Sequence, residues 1–166
     1  MTKPWVLIIM GSDSDAEVMS QAATALDELG VPYEFTVASA HRSPERAKQI
    51  VTDAEANGCA VMIAGAGMAA HLPGVVASLT TRPVIGVPLA SGALNGLDAL
   101  YAIVQMPPGM PVATVAIGGA RNAGILAAQI IATCDAELAA KMKETRRAMA
   151  EQVAAKSKKV EKSTRR

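Results

Sequence analysis

Aromatic side chains are nearly absent: Trp5, Tyr33, Phe35 and Tyr101 are the only four, 2% of a chain of 166 residues. A nucleic-acid module that stacks bases needs an aromatic platform, so that class is disfavoured, and the core must be built from Ala, Val, Ile, Leu and Met. Charge is sparse as well, at 19% against 51% hydrophobic residues, which excludes a disordered chain. The two cysteines, Cys59 and Cys134, stand 75 positions apart in apolar contexts. That is neither a metal-ligand spacing nor a disulfide framework, and both read as buried thiols in a reducing compartment. No apolar run approaches the roughly 18 residues needed to cross a bilayer. The run from Trp5 to Met10 is too short for a signal-peptide core, and no cleavage pattern follows it. The expectation is a cytoplasmic protein with neither membrane nor nucleic acid as a partner.

The formal net charge of +1 conceals an asymmetry. From Lys141 to Arg166 there are ten Lys or Arg against three Glu, leaving six basic and twelve acidic residues in the rest of the chain. The body is acidic and its last stretch basic. Length and core-forming capacity fit one domain, drawn here over 1–156, with 157–166 as a basic disordered tail.

Strand-length apolar runs recur at 6–10, 33–38, 60–64, 83–88 and 112–117, with mostly helical patterns between them. Near-continuous runs of this kind suit strands buried on both faces. After the first, Asp13 or Ser14 can cap a helix whose Ala16, Met19, Ala22, Ala23 and Leu26 share a face, stopped by Gly30 and Pro32. After the second, Ser43, Pro44 and Glu45 read as N-cap, first-turn proline and first-turn acid. A buried helix follows the fifth run, and a long, increasingly polar one extends from Ala136 to about Lys156. The alternation implies right-handed crossovers and a parallel sheet. The fold class is therefore α/β, a three-layer α/β/α sandwich on a five-stranded parallel flavodoxin-like sheet of order 2-1-3-4-5, with a long C-terminal helix.

In that order ligands bind at the carboxyl ends of the strands, where three segments converge. Gly11, Ser12, Asp13, Ser14 and Asp15 follow strand 1 and offer hydroxyls, helix-start amides and carboxylates. Ser39, Ala40, His41, Arg42 and Ser43 follow strand 2, and Arg42 suits phosphate through its planar fork. The third segment, Gly65 to Gly74, contains Gly67, Met68, Ala70, His71 and Leu72. His41 and His71 are the only histidines in the chain, and both fall in these loops. Imidazole, with an ordinary pKa of about 6.5, is the natural proton carrier near neutrality. Each feature alone has a bland reading, as a helix cap or a surface residue; their convergence is what points to a site.

Other chemistries lack their signatures. Gly65-x-Gly67-x-x-Ala70 matches a dinucleotide fingerprint, but no Asp or Glu occurs between Glu55 and Asp98 to bind a ribose. Neither a P-loop nor a nucleophile elbow is present. The body's lysines are Lys3 and Lys48 alone, which leaves Schiff-base chemistry poorly served. The histidines lack a metal-binding spacing. What remains is acid–base work on a small phosphorylated ligand without a metal or organic cofactor. A non-catalytic sensor domain, with Asp13 and Asp15 as a phosphoacceptor cluster, is the competing reading.

The ordered set GSDSD, SAHRSP, AGAGMAAHLPG, PVIGVP and LYAIVQMPPGMPVATVAIGGARNAGILAAQI resembles the class I N5-carboxyaminoimidazole ribonucleotide mutases, the PurE family of purine biosynthesis, over roughly residues 5 to 140. The resemblance implies transfer of a carboxylate from exocyclic N5 to ring carbon 4 of an aminoimidazole ribonucleotide, by decarboxylation and recarboxylation. It makes His41 the general acid and base. It places Ser12, Asp15 and Arg42 on the substrate, with Ser39 supporting the phosphate region, and it gives His71 orientation or pocket shape. Backbone of the third loop would approach the carboxylate while small apolar groups enclose carbon dioxide. Gly11, Ser14, Ala40, Gly67, Met68, Ala70 and Leu72 complete the implied binding set, Met68 standing where many relatives have glycine. The stretch AIGGARNAG looks shorter than in some relatives. The family forms homo-octamers with sites at subunit boundaries, so Gln105, Met106, Pro107 and residues near Ser91 and Asn95 are expected to reach a neighbour's ligand. The related direct carboxylases, which add carbon dioxide to the aminoimidazole, would use nearly the same residues.

Overall fold

In the computed structural model, which describes residues 3–164, five parallel strands lie in the order β2-β1-β3-β4-β5. They are β1 (Trp5–Met10), β2 (Tyr33–Val37), β3 (Cys59–Gly67), β4 (Val84–Leu89) and β5 (Ala113–Thr114). Helices α1 (Ala16–Leu29), α2 (Pro44–Ala56), α3 (Leu72–Leu79), α4 (Leu97–Val104), α5 (Ala120–Ala132) and α6 (Ala136–Thr164) connect and flank them. The sandwich, the strand order and the long last helix match the sequence reading.

The layers follow from the two-residue period of a strand. Val6, Ile8 and Met10 of β1 face one way, into a core with Met19, Ala22 and Leu26 of α1 and Ala123 and Ala127 of α5. Leu7 and Ile9 face the other way, against Val51 of α2, Val76 of α3 and Ile103 of α4. With few aromatics, packing relies on close approach of small residues. A Cβ on Gly124 of α5 would lie 2.6 Å from the Ala22 carbonyl oxygen of α1, so glycine there sets how near the two helices stand. Across the same pair, Arg121 of α5 donates to both carboxylate oxygens of Glu28 on α1.

Several boundaries differ from expectation, each for a physical reason. β2 is an edge strand, so Phe35 and Val37 are exposed rather than buried on both faces. β5 is only two residues long; beyond it Val115 and Gly118 still donate to Gly86 and Pro88 of β4, but Gly118 at φ 69° turns the chain into α5. A short 3-10 turn, Asp13–Asp15, precedes α1, whose far end is capped by Gly30 at φ 73°. Cys59 is buried as expected, and burial pushes its thiol pKa up. Cys134 is exposed, because it lies past the last buried position of α5, Ile131, in the connection to α6. Helix α6 runs beyond Lys156 to Thr164, through most of the stretch expected as a disordered tail; Arg165 and Arg166 of that stretch lie outside the described residues. No helix among the described residues is long and apolar enough to cross a membrane.

Candidate active site

Strands β2, β1 and β3 are neighbours, and the segments at their carboxyl ends enclose one open cleft of about 330 Å³. It is lined by Gly11, Ser12, Ser14 and Asp15 after β1, by Ser39, Ala40, His41 and Arg42 after β2, and by Gly67, Met68, His71 and Leu72 at the β3–α3 junction. All were named from the sequence. Ala70, also named, is buried in the core beneath the loop and does not line the cleft. Ala66 and Ala69, which fall within the third segment but carry no chemical signal to single them out, also line the cleft, as does Ser91, whose region the sequence reading directed toward a neighbouring subunit.

The first segment is organised by its own carboxylates. The Ser12 amide donates to Asp15 Oδ2 at 3.1 Å, and the Ser14 amide donates to Asp13 Oδ1 at 3.1 Å. The Ser12 hydroxyl also donates to Asp13 Oδ1, and the Ser14 hydroxyl to Ser12 Oγ. Both amides and both hydroxyl protons are therefore engaged within the turn, and of these only the hydroxyls can rotate to turn a proton toward an anion. Partial burial raises the pKa of Asp15, and the charge on Asp13 adds to the rise; the Ser12 amide and the positive charge of Arg42 oppose it.

In the second segment Ser39 and Ser43 hold the turn that carries His41 and Arg42. The Ser39 amide donates to Ser43 Oγ at 3.0 Å, and the Arg42 amide donates to Ser39 Oγ at 3.2 Å. Pro44 at the start of α2 then fixes the helix entry. Arg42 Nη2 donates to the Gly11 carbonyl at 3.1 Å, which ties this segment to the first. Arg82 and Arg121 are paired with Glu55 and Glu28, whereas no carboxylate among the described residues forms an ion pair with Arg42. Its remaining donors are available in the cleft, in a geometry suited to two oxygens of one phosphate.

The two histidines meet. His41 Nε2 and His71 Nδ1 are 2.7 Å apart, with ring centroids 4.8 Å apart and planes at 80°. His41 comes from the β2 end and His71 from the residue before α3, so the juxtaposition depends on the strand order. At the same junction Met68 adopts φ 52°, a left-handed conformation that glycine takes freely and other residues rarely do. No group of three or more His, Cys, Asp or Glu able to hold a metal ion occurs among the described residues.

A parallel α/β sandwich that gathers hydroxyls, an imidazole pair and an arginine fork with no carboxylate ion pair among the described residues into one cleft at the strand ends matches a class: enzymes that hold a small phosphorylated ligand and move protons on it. The chain belongs to the AIR carboxylase family, whose profile matches residues 5–152. It is 57% identical over 159 residues to the N5-carboxyaminoimidazole ribonucleotide mutase of Pyrococcus horikoshii, covering 96% of this chain and 90% of that protein. To the mutase of Thermotoga maritima it is 56% identical, covering 95% and 92% of the two chains. The phosphoribosylaminoimidazole carboxylase of Schizosaccharomyces pombe is 54% identical over 96% of this chain, which corresponds to 29% of that longer protein. Among solved structures, PurE of Treponema denticola superposes with a TM-score of 0.88 at 29% identity, covering 99% of this chain and all of that one.

Proposed function

We propose that this chain is an N5-carboxyaminoimidazole ribonucleotide mutase that moves a carboxylate from N5 to carbon 4 of its substrate. The observation that carries the reading is the His41–His71 pair beside the unpaired Arg42 in one cleft, in a chain whose relatives of similar length bear that activity in their names. Arg42, with the hydroxyls of Ser12 and Ser14, takes the phosphate, and Asp15 takes ribose hydroxyls. As the N5–carboxyl bond breaks, its electron pair stays on nitrogen and His41 supplies the proton, leaving an amine and carbon dioxide. Carbon 4 then attacks carbon dioxide, a carbon–carbon bond forms, and His41 recovers its proton from carbon 4. The imidazole ends as it began. The apolar wall of Ala66, Met68, Ala69 and Leu72 keeps carbon dioxide from solvent between the two steps.

The protein works in the cytoplasm as a homo-oligomer, with an octamer as the family-based assignment. Support for assembly comes from α4 and its flanks, where Leu94, Leu97, Tyr101, Val104 and Met110 are exposed apolar side chains on one chain. Light scattering coupled to size exclusion tests the assembly directly, and a monomer at micromolar concentration contradicts it.

The activity is tested by supplying purified protein with N5-carboxyaminoimidazole ribonucleotide, or with aminoimidazole ribonucleotide plus limiting bicarbonate, and following the carbon-carboxylated product. Efficient turnover of the first alone is expected. Preference for the second makes the chain a direct carboxylase, and binding without turnover in either makes it a sensor.

A further inference from the structure

The apolar wall offers no side-chain hydrogen-bond donor, and two amides of its connection are already engaged. Within the β3–α3 connection the Ala70 amide donates to the Met68 carbonyl and the His71 amide to the Ala69 carbonyl, each at 2.8 Å. Two amides that the sequence would offer to a carboxylate are thus turned inward. The wall's side chains are Ala66, Met68, Ala69 and Leu72, none of which donates. A carboxyl group pressed against this surface loses water and needs a replacement donor.

Ser91, in the connection from β4 to α4, is the side chain placed to give one. It is half-buried and lines the cleft, and its hydroxyl has no hydrogen-bond partner among the described residues. Its seat is built into the backbone. A Cβ on Gly67 would stand 2.4 Å from Ser91 Oγ and 3.2 Å from the Leu89 carbonyl oxygen, so the missing side chain at residue 67 is what lets the hydroxyl reach the wall.

We propose that Ser91 is the substrate-binding residue that holds the migrating carboxyl group. Its hydroxyl donates to one carboxylate oxygen of the carboxylated ribonucleotide and, between the two transfer steps, to an oxygen of carbon dioxide. No covalent bond to Ser91 forms and its proton stays in place. The inference rests on the mutase reading above and adds to it the side chain that recognises the moving group.

The test compares two ligands that differ by that group. Calorimetric Kd values are measured for aminoimidazole ribonucleotide and for its carbon-4 carboxylated product with wild-type protein, Ser91→Ala and Ser91→Gly. Both variants are expected to bind the uncarboxylated ribonucleotide as the wild type does and the carboxylated one about tenfold more weakly, the effect of one hydrogen bond to a charged group. In turnover they release a larger share of aminoimidazole ribonucleotide per product formed. Equal weakening of both ligands, or of neither, overturns the role of Ser91. Failure of the wild type to bind either ribonucleotide overturns the mutase reading instead.

Discussion

His41 Nε2 and His71 Nδ1 share one hydrogen bond of 2.7 Å, so one imidazole donates while the other presents its lone pair. The bond links the tautomer of each ring to that of the other and holds the two planes at 80°. On the proposed mechanism His71 therefore acts through His41, as a positioning residue. His41→Asn keeps a side chain able to bond His71 but cannot carry the proton; it is expected to fold, to bind ribonucleotide and to lose about 10²- to 10⁴-fold in kcat. His71→Asn is expected to lose less, and to change the shape of the kcat–pH profile rather than scale it equally at every pH. Near-wild-type turnover by His41→Asn would remove the acid–base assignment, and an unchanged profile shape for His71→Asn would reduce that residue to packing.

Arg42 reaches Gly11 with one nitrogen and is free of any carboxylate ion pair among the described residues. Its loss is expected to weaken ribonucleotide binding by about 10- to 100-fold, as for a charge-assisted pair, with a smaller change in kcat at saturation. Arg42→Lys restores the charge without the fork and should recover only part of the affinity. Titration of Arg42→Ala with aminoimidazole ribonucleotide decides the matter, and an unchanged Kd contradicts the assignment.

Asp15 links function to stability with a definite sign. Its pKa is raised in the folded protein, chiefly by burial, so the folded state holds the proton more tightly than the unfolded state does. The contribution of Asp15 to stability is therefore greatest below the unfolded carboxyl value and falls as pH rises through the raised folded value. Asp15→Asn lacks that loss while keeping an oxygen to accept from the Ser12 amide. The melting temperature of the variant relative to wild type should increase from about pH 3 to pH 7, ordinary carboxyl pKa values lying near 4. A difference that shrinks over this range would mean that the Ser12 amide and Arg42, not burial, dominate the site.

The sheet was legible in the sequence because both-face burial writes itself as apolar runs: β1, β3 and β4 fall where Leu7–Ile9, Val61–Ala64 and Ile85–Val87 stand. Most of the cleft was legible because the strand order brings the β1, β2 and β3 ends together, and the chemistry-bearing residues of those ends are few. The length of β5 was not, since an apolar run does not reveal that only Ala113 and Thr114 pair with β4. Nor was the exposure of Cys134, which depends on where α5 ends. Ser91 lay in a loop without a signature, and only the side-chain-free space at Gly67 shows where its hydroxyl goes.

Met68 concentrates the remaining tension between stability and function. At φ 52° an L-residue is disfavoured by about 1–2 kcal/mol, whereas glycine adopts the conformation freely but gains about 0.5–1 kcal/mol of unfolded-state freedom. Met68→Gly should therefore leave stability unchanged or raise it slightly, and Met68→Ala, which keeps the Cβ and the strain, should melt below Met68→Gly. The side chain is 58% exposed, yet its Cγ lies 3.7 Å from where a Cβ on Gly92 would be, so it reaches from the β3–α3 connection to the β4–α4 connection. Removing it opens the apolar cover over the space assigned to carbon dioxide. Both variants should release more aminoimidazole ribonucleotide per product than wild type, measured in single-turnover reactions with N5-carboxyaminoimidazole ribonucleotide, while their Kd for aminoimidazole ribonucleotide stays the same. If Met68→Gly melts lower than Met68→Ala, the backbone argument fails; if neither variant leaks, the thioether is not a cover.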